Sequence, residues 1–238
     1  MDLDVIYNEC CVEGMRERIP GKSVDLVLTD PPYNINFKPP RDTGDEHFAR
    51  DGIESDSMEK DDFMLWLDGV CHEINRVLKE DSYIFMFCGW STIQQFHPVI
   101  EKYWDVKALH IWVKDNFGLG YYSRPQYEPF FMCLKGQPEK PDKAPSNVWD
   151  FRKVYKNKEN HDIHSCQKPV SLLEKIIKCY ASKEDEIIAD PFMGNGSTAV
   201  AAYNMGLKWI GWEKDEEIYK KCMNRVEKHT SKPRLFYG

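Results

Sequence analysis

Long apolar runs are lacking in this chain of 238 residues, and none approaches the roughly 18 residues that a membrane span requires. The first four residues, Met-Asp-Leu-Asp, contain no basic region followed by an apolar core, so we expect no signal peptide. Internal repeats and low-complexity tracts are also lacking. These features predict a globular protein of the cytoplasm with no membrane partner.

Cysteines at zinc-binding or disulfide-forming spacing are missing as well. The eight cysteines are scattered, and no two of them form a Cys-x-x-Cys pair. Because several lie in apolar runs, as Cys88 and Cys133 do, we interpret them as reduced core residues. His161 and His164 are close in sequence, but no arrangement of cysteines or acids completes a metal site beside them. We therefore expect no bound metal.

An excess of positive charge is the third feature that the sequence does not have. It contains 32 Lys and Arg against 39 Asp and Glu, which gives a net charge of −7. The molecule as a whole is not attracted to nucleic acid, so binding to DNA would need a local patch. A hydrophobic content of 42% is enough for one large domain, or for one domain with a small insertion.

Apolar blocks separated by turn-forming residues predict alternating strands and helices. Strands are expected at 3–7, 25–29, 83–88, 106–113, 127–134, 186–189 and 209–212. Helices are expected at 12–19, 63–77, 91–102, from Pro169 onward, from the Gly196 turn to about Gly206, and at 215–229. This order is typical of an α/β fold with a doubly wound, mainly parallel sheet.

Two segments have little apolar content. Residues 34–58 are rich in Pro, Gly, Asp and Arg, and a stretch of this length inside a domain indicates a mobile functional loop or disorder. The composition shifts again from residue 136 to 166, which predicts an insertion outside the main core. We therefore expect residues 1–136 and 167–238 to form two parts of one domain, with a small insertion at 137–166.

The sequence Asp30-Pro31-Pro32-Tyr33, called the elbow below, directly follows the predicted strand 25–29. Its two prolines fix φ and remove two backbone donors, and Pro31 keeps Asp30 out of the helical region. The elbow therefore presents a carboxylate, free carbonyl groups and an aromatic ring, which suits a flat molecule whose NH groups need acceptors. A plainer interpretation is a strand-ending turn with a surface aspartate.

A second predicted site is the turn around Gly194 and Gly196, which lies between a strand and a helix. The glycines allow a sharp turn and close approach of a ligand, and the helix start offers NH groups with the Ser197 and Thr198 hydroxyls. Glu213 ends the next strand, where a carboxylate suits two ribose hydroxyls. The pattern equally fits a nicotinamide or flavin enzyme, or a turn that merely needs two glycines.

Three motifs together resemble the S-adenosylmethionine-dependent amino methyltransferases of DNA: the elbow, Gln167-Lys168-Pro169, and Asp190-Pro191-Phe192 before the glycines. Their order is similar to that of the permuted beta group of this family. Residues 23–33, 75–79, 111–114 and 210–213 are also similar to the family pattern, so the resemblance covers most of the chain. A dehydrogenase has no reason to carry the elbow.

The resemblance implies a Rossmann-like methyltransferase fold and S-adenosyl-L-methionine as the cofactor. It implies these cofactor-binding residues: Glu9, Cys10, Asp30, Lys168, Asp190, Phe192, Gly194, Gly196, Ser197, Thr198 and Glu213. The chain departs from the family at Glu9, which replaces a shorter acid and would reach farther to the adenine of the cofactor. It also has Ser165-Cys166 where the family often has Pro-Thr, and the loss of the rigid proline predicts a more pliable lip of the cofactor pocket.

The resemblance makes Asp30, Pro31, Pro32 and Tyr33 the catalytic residues. An exocyclic amine is a poor nucleophile because its lone pair is delocalised, so the Asp30 carboxylate and the Pro31 carbonyl would accept its hydrogens and aim the lone pair at the methyl group. Tyr33 would stack on the base, which must be flipped out of the duplex. An aspartate at the first position favours adenine N6 by family tendency. Cytosine N4, adenine in RNA and a non-catalytic DNA-binding module remain open.

Double-stranded DNA is the partner that the resemblance implies. Candidate DNA contacts are Phe37, Lys38, Arg41, Arg152, Lys153, Tyr155, Lys156 and Lys158. Basic residues interleaved with aromatics suit phosphates and unstacked bases, although a solvated charged loop is the plainer interpretation of residues 151–158. The segment available for target recognition is short for the family. Either the protein reads a short site, or a second subunit in a homodimer covers the rest of the duplex.

Overall fold

The computed structural model of the protein describes residues 1–36, 56–118, 120–154, 167–181 and 184–231. The described residues form one eight-stranded sheet flanked by helices. The strands are β1 Val5–Tyr7, β2 Val24–Thr29, β3 Leu78–Phe87, β4 Asp105–Val113, β5 Tyr127–Lys135, β6 Val148–Asp150, β7 Ile187–Asp190 and β8 Lys208–Trp212. The helices are α1 Cys11–Arg18, α2 Lys60–Val77, α3 Ile93–Ile100, α4 Val170–Tyr180, α5 Ser197–Asn204 and α6 Glu216–Thr230.

The strand order in the sheet is β1-β8-β7-β2-β3-β5-β4-β6. All neighbouring pairs are parallel except β3 with β5 and β4 with β5, because β5 alone runs in the opposite direction. The predicted doubly wound, mainly parallel sheet is confirmed.

The two faces of the sheet are covered by different helices. In β2, Leu26 and Leu28 point toward the core shared with α4, α5 and α6, whereas Val24 and Val27 point toward the core shared with α1, α2 and α3. A strand buried on both faces needs apolar side chains in both alternating sets, which is why β2 reads as an almost continuous apolar run. The central strand that carries the elbow is therefore held from both sides.

Strand β3 begins five residues earlier than the apolar run 83–88 predicted. Its added residues include Lys79, Glu80 and Asp81, and the pairing of β2 with β3 shifts register there, between Val24 and Leu26. These charged side chains lie at the irregular, solvent-facing start of the strand, so an apolar pattern cannot reveal them. Helix α3 is in turn shorter than predicted, covering only Ile93–Ile100.

The expectation that residues 137–166 lie outside the main core is wrong for residues 148–150. These residues form β6, which pairs in parallel with β4 at the edge of the sheet. Trp149 is buried in the core, and its indole NH donates a 2.7 Å hydrogen bond to Nδ1 of His110. A large indole with a bonded partner is better placed in the core than in solvent. Residues 155–166 lie outside the described part of the chain.

The carboxyl ends of β1, β2, β3, β4, β7 and β8 meet at one edge of the sheet, and the reversed β5 brings its first residues to that edge. In open α/β sheets this edge is where ligands bind. Five of the described cysteines, Cys11, Cys71, Cys88, Cys133 and Cys222, are buried, and none of those described forms a disulfide. Among the described residues, no helix is long and apolar enough to cross a membrane, and no group of three or more His, Cys, Asp or Glu residues is placed to hold a metal ion.

Candidate active site

A pocket of about 400 Å³ opens at the carboxyl edge of the sheet. Its size falls in the range of small-molecule sites. The predicted site residues that line it are Glu9, Cys10, Asp30, Pro31, Pro32, Tyr33, Lys168, Asp190, Phe192, Gly194, Ser197, Thr198 and Glu213. The elbow and the glycine turn, residues 190–198, are thus parts of one pocket, although about 160 residues separate them in the chain.

The Asp30 carboxylate is held by donors on both of its oxygens. The Tyr33 hydroxyl donates to Oδ1 at 2.5 Å, and the Lys168 ammonium donates to Oδ2. Burial raises the pKa of Asp30 above its usual value, while the Lys168 charge opposes this rise. The backbone NH of Tyr33 donates to Asp56 at 3.0 Å, which anchors the end of the elbow. Asp30 is therefore fixed in direction and placed to accept hydrogen bonds.

Glu128, which no sequence pattern indicated, and Lys114, to which no role was assigned from sequence, extend this network. Glu128 is the second residue of β5, and its Oε2 lies 3.2 Å from Nζ of Lys168. The Lys114 ammonium donates to the other oxygen of Glu128. Burial on its own would raise the pKa of Glu128, but the two lysines outweigh it and lower the pKa to about 2. No motif marks Glu128, because only the reversed direction of β5 brings it to the elbow.

Glu213 lines the pocket beside the glycine turn. Its carboxylate accepts from the backbone NH groups of Gly194 at 3.0 Å and Asp215 at 2.9 Å. Burial raises the pKa of Glu213 to about 7, against the effect of these two hydrogen bonds. Each carboxylate oxygen can accept a further hydrogen bond, as the predicted contact with two hydroxyl groups requires.

Asp190 connects the strand that carries the elbow with the glycine turn. Its Oδ1 accepts from the Thr29 hydroxyl at 2.8 Å and from the Phe192 backbone NH at 3.0 Å, and its Oδ2 accepts from the Thr198 hydroxyl at 2.6 Å. Burial nevertheless raises the pKa of Asp190 to about 6. These contacts connect the last residue of β2 to the start of α5, so Asp190 positions the glycine turn against the elbow.

Glu9 is committed to protein partners in the structure. It accepts from Arg18 at 2.6 and 2.8 Å and from the Trp212 indole NH at 3.3 Å. The hydrogen bond from Arg18 is the main reason that the pKa of Glu9 is lowered. Its predicted contact with a cofactor adenine would therefore compete with three existing donors. The neighbouring Cys10 lines the same wall, at the start of α1.

Gly196 supports the pocket from behind the glycine turn. It adopts a left-handed φ of 77°, and an added Cβ would lie 2.6 Å from Val226 and 2.9 Å from Cys222. The bare backbone therefore lets α6 pack directly against the turn. On the pocket side, Phe192 contacts Trp66 of α2, with ring centroids 5.6 Å apart. Trp66 also lines the pocket, and no motif in the sequence indicates this position.

The predicted DNA contacts are only partly described. Arg152 is exposed, and the Lys153 backbone NH donates to Asp115 at 3.0 Å. The remaining candidates, Phe37, Lys38, Arg41, Tyr155, Lys156 and Lys158, lie outside the described residues. Tyr121 and Tyr122, which the sequence analysis did not select, are 97% and 98% exposed in the loop between β4 and β5. Two adjacent tyrosines in a glycine-containing loop were the available signal.

Comparison with known proteins identifies similar chains. A family model described as DNA methylase, of the N6/N4 type, matches residues 24–224. The DNA adenine methyltransferase YhdJ of Escherichia coli K12 is 29% identical over 259 residues, which cover 94% of this chain and 82% of YhdJ. Among solved structures, the complex of M1.HpyAVI with SAM has a TM-score of 0.68 at 22% identity and covers 93% of this chain and 98% of that one. The cytosine-N4-specific PvuII DNA methyltransferase has a TM-score of 0.69 at 16% identity and covers 94% and 92%.

Proposed function

Since this chain belongs to the N6/N4 DNA methylase family, as the match over residues 24–224 shows, we propose that it transfers a methyl group from S-adenosyl-L-methionine to the N6 amine of an adenine flipped out of double-stranded DNA. The observation that carries the proposal is the single pocket shared by the elbow and the glycine turn. One side offers acceptors for an amine, and the other offers the groups that a nucleoside cofactor needs.

The residues of the glycine turn fit this cofactor. The Glu213 carboxylate has remaining acceptor capacity for ribose hydroxyls, and the start of α5 presents backbone NH groups and the Ser197 hydroxyl. Phe192 and Trp66 supply an apolar wall. When bound, S-adenosyl-L-methionine supplies an electrophilic methyl group on a sulfonium.

The elbow performs the chemistry by positioning and electrostatics. The Asp30 carboxylate and the Pro31 carbonyl accept hydrogen bonds from the target amine, which frees its lone pair and orients it. Tyr33 holds Asp30 through its hydroxyl and offers its ring to the base. After transfer the methylated nitrogen is acidic, and Asp30 accepts its proton.

Adenine is favoured over cytosine by the aspartate at the first elbow position and by the similarity to an enzyme named as a DNA adenine methyltransferase. The acceptors of the elbow suit either amine, so the base is decided by its fit in the pocket. In this proposal the target leaves the duplex to reach Asp30, because a base that is stacked and paired inside a duplex cannot enter a pocket that Asp30 lines. Exposed Arg152, with the basic residues that follow it in sequence, provides the proposed phosphate contacts.

The test uses the full chain, labelled S-adenosyl-L-methionine and mixed-sequence DNA, followed by mass analysis of the nucleosides. We expect label in N6-methyladenine. Label in N4-methylcytosine would correct the target base, and label in RNA alone would correct the substrate. A folded protein that transfers no label to any nucleic acid would refute the proposal, and calorimetry with nicotinamide cofactors would then test the oxidoreductase alternative.

The role of Asp30 is tested by Asp30→Asn. The amide retains one acceptor oxygen but loses the charge, so transfer should fall by about 100-fold or more while cofactor binding persists. The matched control is Asp105→Asn, whose side chain is 59% exposed at the opposite end of β4. Equal activity of the two variants would remove Asp30 from the mechanism.

A further inference from the structure

Four ionisable side chains form a row that begins at the elbow: Asp30, Lys168, Glu128 and Lys114, called the charged row below. The Lys168 ammonium donates to Oδ2 of Asp30 and also lies 3.2 Å from Oε2 of Glu128. Lys114 donates to the far oxygen of Glu128. Lys168 is only 6% exposed, so its charge is balanced by these carboxylates and not by water. Its ammonium group lies between two acids, either of which can hold it.

The oxygen of Asp30 that Lys168 bonds is one that a target amine needs. The Tyr33 hydroxyl already occupies Oδ1, and Lys168 occupies Oδ2. The ammonium also lies over two aromatic faces, 5.6 Å from the Tyr33 ring centroid and 5.0 Å from that of Phe87. An ammonium and an exocyclic amine are both N–H donors, so they compete for the same acceptor between the same rings.

We propose that Lys168 is a positioning residue that occupies the target-amine position on Asp30 until the base enters, and that Glu128 then holds its ammonium group. This inference rests on the proposed function and assigns to Lys168 a role on the target side of the pocket. Glu128 makes the exchange feasible, because Lys168 keeps a buried anionic partner when it leaves Asp30. A buried ammonium without such a partner would be strongly unfavourable.

Lys168 also keeps Asp30 able to accept. Groups facing Asp30 from neighbouring elements are Lys168, Glu128 on β5, Tyr33 in the elbow, Cys88 after β3 and Asp190 on β7. Among these groups, which all lie in the described part of the chain, Lys168 is the cation. Its charge lowers the pKa of Asp30, whereas burial and the Glu128 charge raise that pKa. Without Lys168 the carboxyl would hold its proton to higher pH, and a protonated carboxyl donates from the oxygen that must accept.

The position of Lys168 is fixed from the cofactor side as well. The preceding residue, Gln167, accepts a 3.3 Å hydrogen bond from the Asn195 side chain in the glycine turn. Pro169 follows directly and precedes α4. Lys168 thus lies between a residue that is bonded to the turn and the start of a helix, and in the proposed exchange its side chain rotates from Asp30 to Glu128.

The closing experiment compares Lys168→Met and Glu128→Gln, which should act in opposite directions on pH dependence. Lys168→Met should shift the acidic limb of the transfer rate to higher pH by about one unit or more. Glu128→Gln removes a charge that raises the pKa of Asp30, so in this variant the acidic limb of the transfer rate should move to lower pH. It also leaves Lys168 with Asp30 as its remaining anion in the charged row, so the KM for DNA should rise severalfold while the Kd for cofactor is kept.

Two further variants isolate the cause. Lys168→Arg retains the charge and should keep the acidic limb close to that of the unmodified protein. Lys79→Met is the matched control, because the Lys79 ammonium lies 2.6 Å from the Asp25 carboxylate at the other end of β2, and the Lys79 side chain is 44% exposed. This variant should leave the pH dependence of the transfer rate unchanged.

A second readout does not depend on methyl transfer. The titration of Asp30 is followed by carboxyl NMR in protein labelled with ¹³C at aspartate, with Asp30→Asn for assignment. Lys168→Met should raise the pH at the midpoint of the Asp30 titration. An active protein in which Lys168→Met changes neither the midpoint nor the pH profile overturns this inference alone. If the unmodified protein transfers no methyl group to nucleic acid, the proposed function falls and this inference falls with it.

Discussion

The Tyr33 hydroxyl donates a 2.5 Å hydrogen bond to the Asp30 carboxylate, so the ring and the acid of the elbow are fixed relative to each other. Two prolines stiffen the backbone between them, and the Tyr33 hydroxyl and the Lys168 ammonium together set the orientation of the carboxylate. The elbow is therefore a rigid unit in which the stacking face and the acceptor move together.

Tyr33→Phe should separate these two functions. The ring remains, but Asp30 loses a donor that lowers its pKa, so transfer should fall by roughly tenfold, as expected for loss of a hydrogen bond to a charged group. Single-turnover rates with saturating cofactor measure this. Tyr103→Phe is the control, since that hydroxyl contacts the Asp68 carbonyl at 3.4 Å, outside the pocket. A Phe variant as fast as the control would show that the hydroxyl is dispensable.

Glu213 predicts a pH dependence of cofactor binding. Its pKa is raised to about 7, so the carboxylate is partly protonated at neutral pH and gains acceptor capacity as the pH rises. Cofactor affinity should increase from pH 6 to pH 8, as measured by calorimetry. In Glu213→Gln the affinity should be lower at pH 8 and nearly independent of pH. If the cofactor affinity of Glu213→Gln still depended on pH, a group other than Glu213 would be responsible for the titration.

The Glu213 carboxyl should also affect stability, but a rise in pH should lower stability although it raises cofactor affinity. A raised pKa means that the folded state binds more protons than the unfolded state between about pH 4.5 and 7, so the free energy of unfolding should fall as the pH rises through this window. Urea unfolding of the protein without cofactor, compared with Glu213→Gln, measures the difference. The Gln variant should lose this part of the pH dependence, and an unchanged slope would contradict it.

Gly196 and Gly69 form a matched pair for glycine replacement. Gly196→Ala places a Cβ against Val226 and Cys222 at a φ of 77°, so it should destabilise the fold by about 1–3 kcal/mol and weaken cofactor binding. Gly69 lies inside α2, and an added Cβ would meet no atom within 4 Å apart from its chain neighbours and the backbone of the helix itself, so Gly69→Ala should stabilise by about 0.5–1 kcal/mol. Urea unfolding checks both signs, and equal effects would show that the turn tolerates a side chain.

Arg152 provides a test of the proposed DNA contact. Arg152→Ala should weaken binding across all DNA sequences and reduce the slope of log K against log salt by about one. Fluorescence anisotropy at several salt concentrations measures this slope. Lys107→Ala is the control, because Lys107 is 47% exposed and lies toward the start of β4, away from the pocket edge. An unchanged slope in Arg152→Ala would remove this residue from the DNA interface.

Local sequence patterns predicted most of the fold. The alternation of apolar runs with turn residues predicted β2, β7 and β8 to within about two residues, because buried parallel strands have a strong local signature. The start of β3 was missed because charged residues occupy its irregular end. Trp149 was assigned to an insertion because the surrounding segment is rich in Pro, Lys, Asn and Asp, and the apolar residues beside it, Val148 and Phe151, are too few to form a period that indicates burial.

The functional site also has one part that the sequence could predict and another that it could not. The elbow and the glycine turn are short motifs, so the residues that line their part of the pocket could be named from sequence. Glu128 could not, because its proximity to Asp30 depends on the reversed direction of β5 and on a lysine from a third segment. The hydrogen bond that Asp190 accepts from Thr29 likewise exists only after residues far apart in the chain have packed.

The three hydrogen bonds of Asp190 have a mechanical consequence. The bond from Thr29 joins Asp190 to the strand that carries the elbow, and the bonds from Phe192 and Thr198 join it to the glycine turn, so both motifs are tied to one carboxylate. In the proposed reaction, the separation of methyl donor and acceptor is then set when the chain folds. Ligand binding does not have to supply the free energy of bringing them into line, and the effective concentration of one reactant at the other is set in advance.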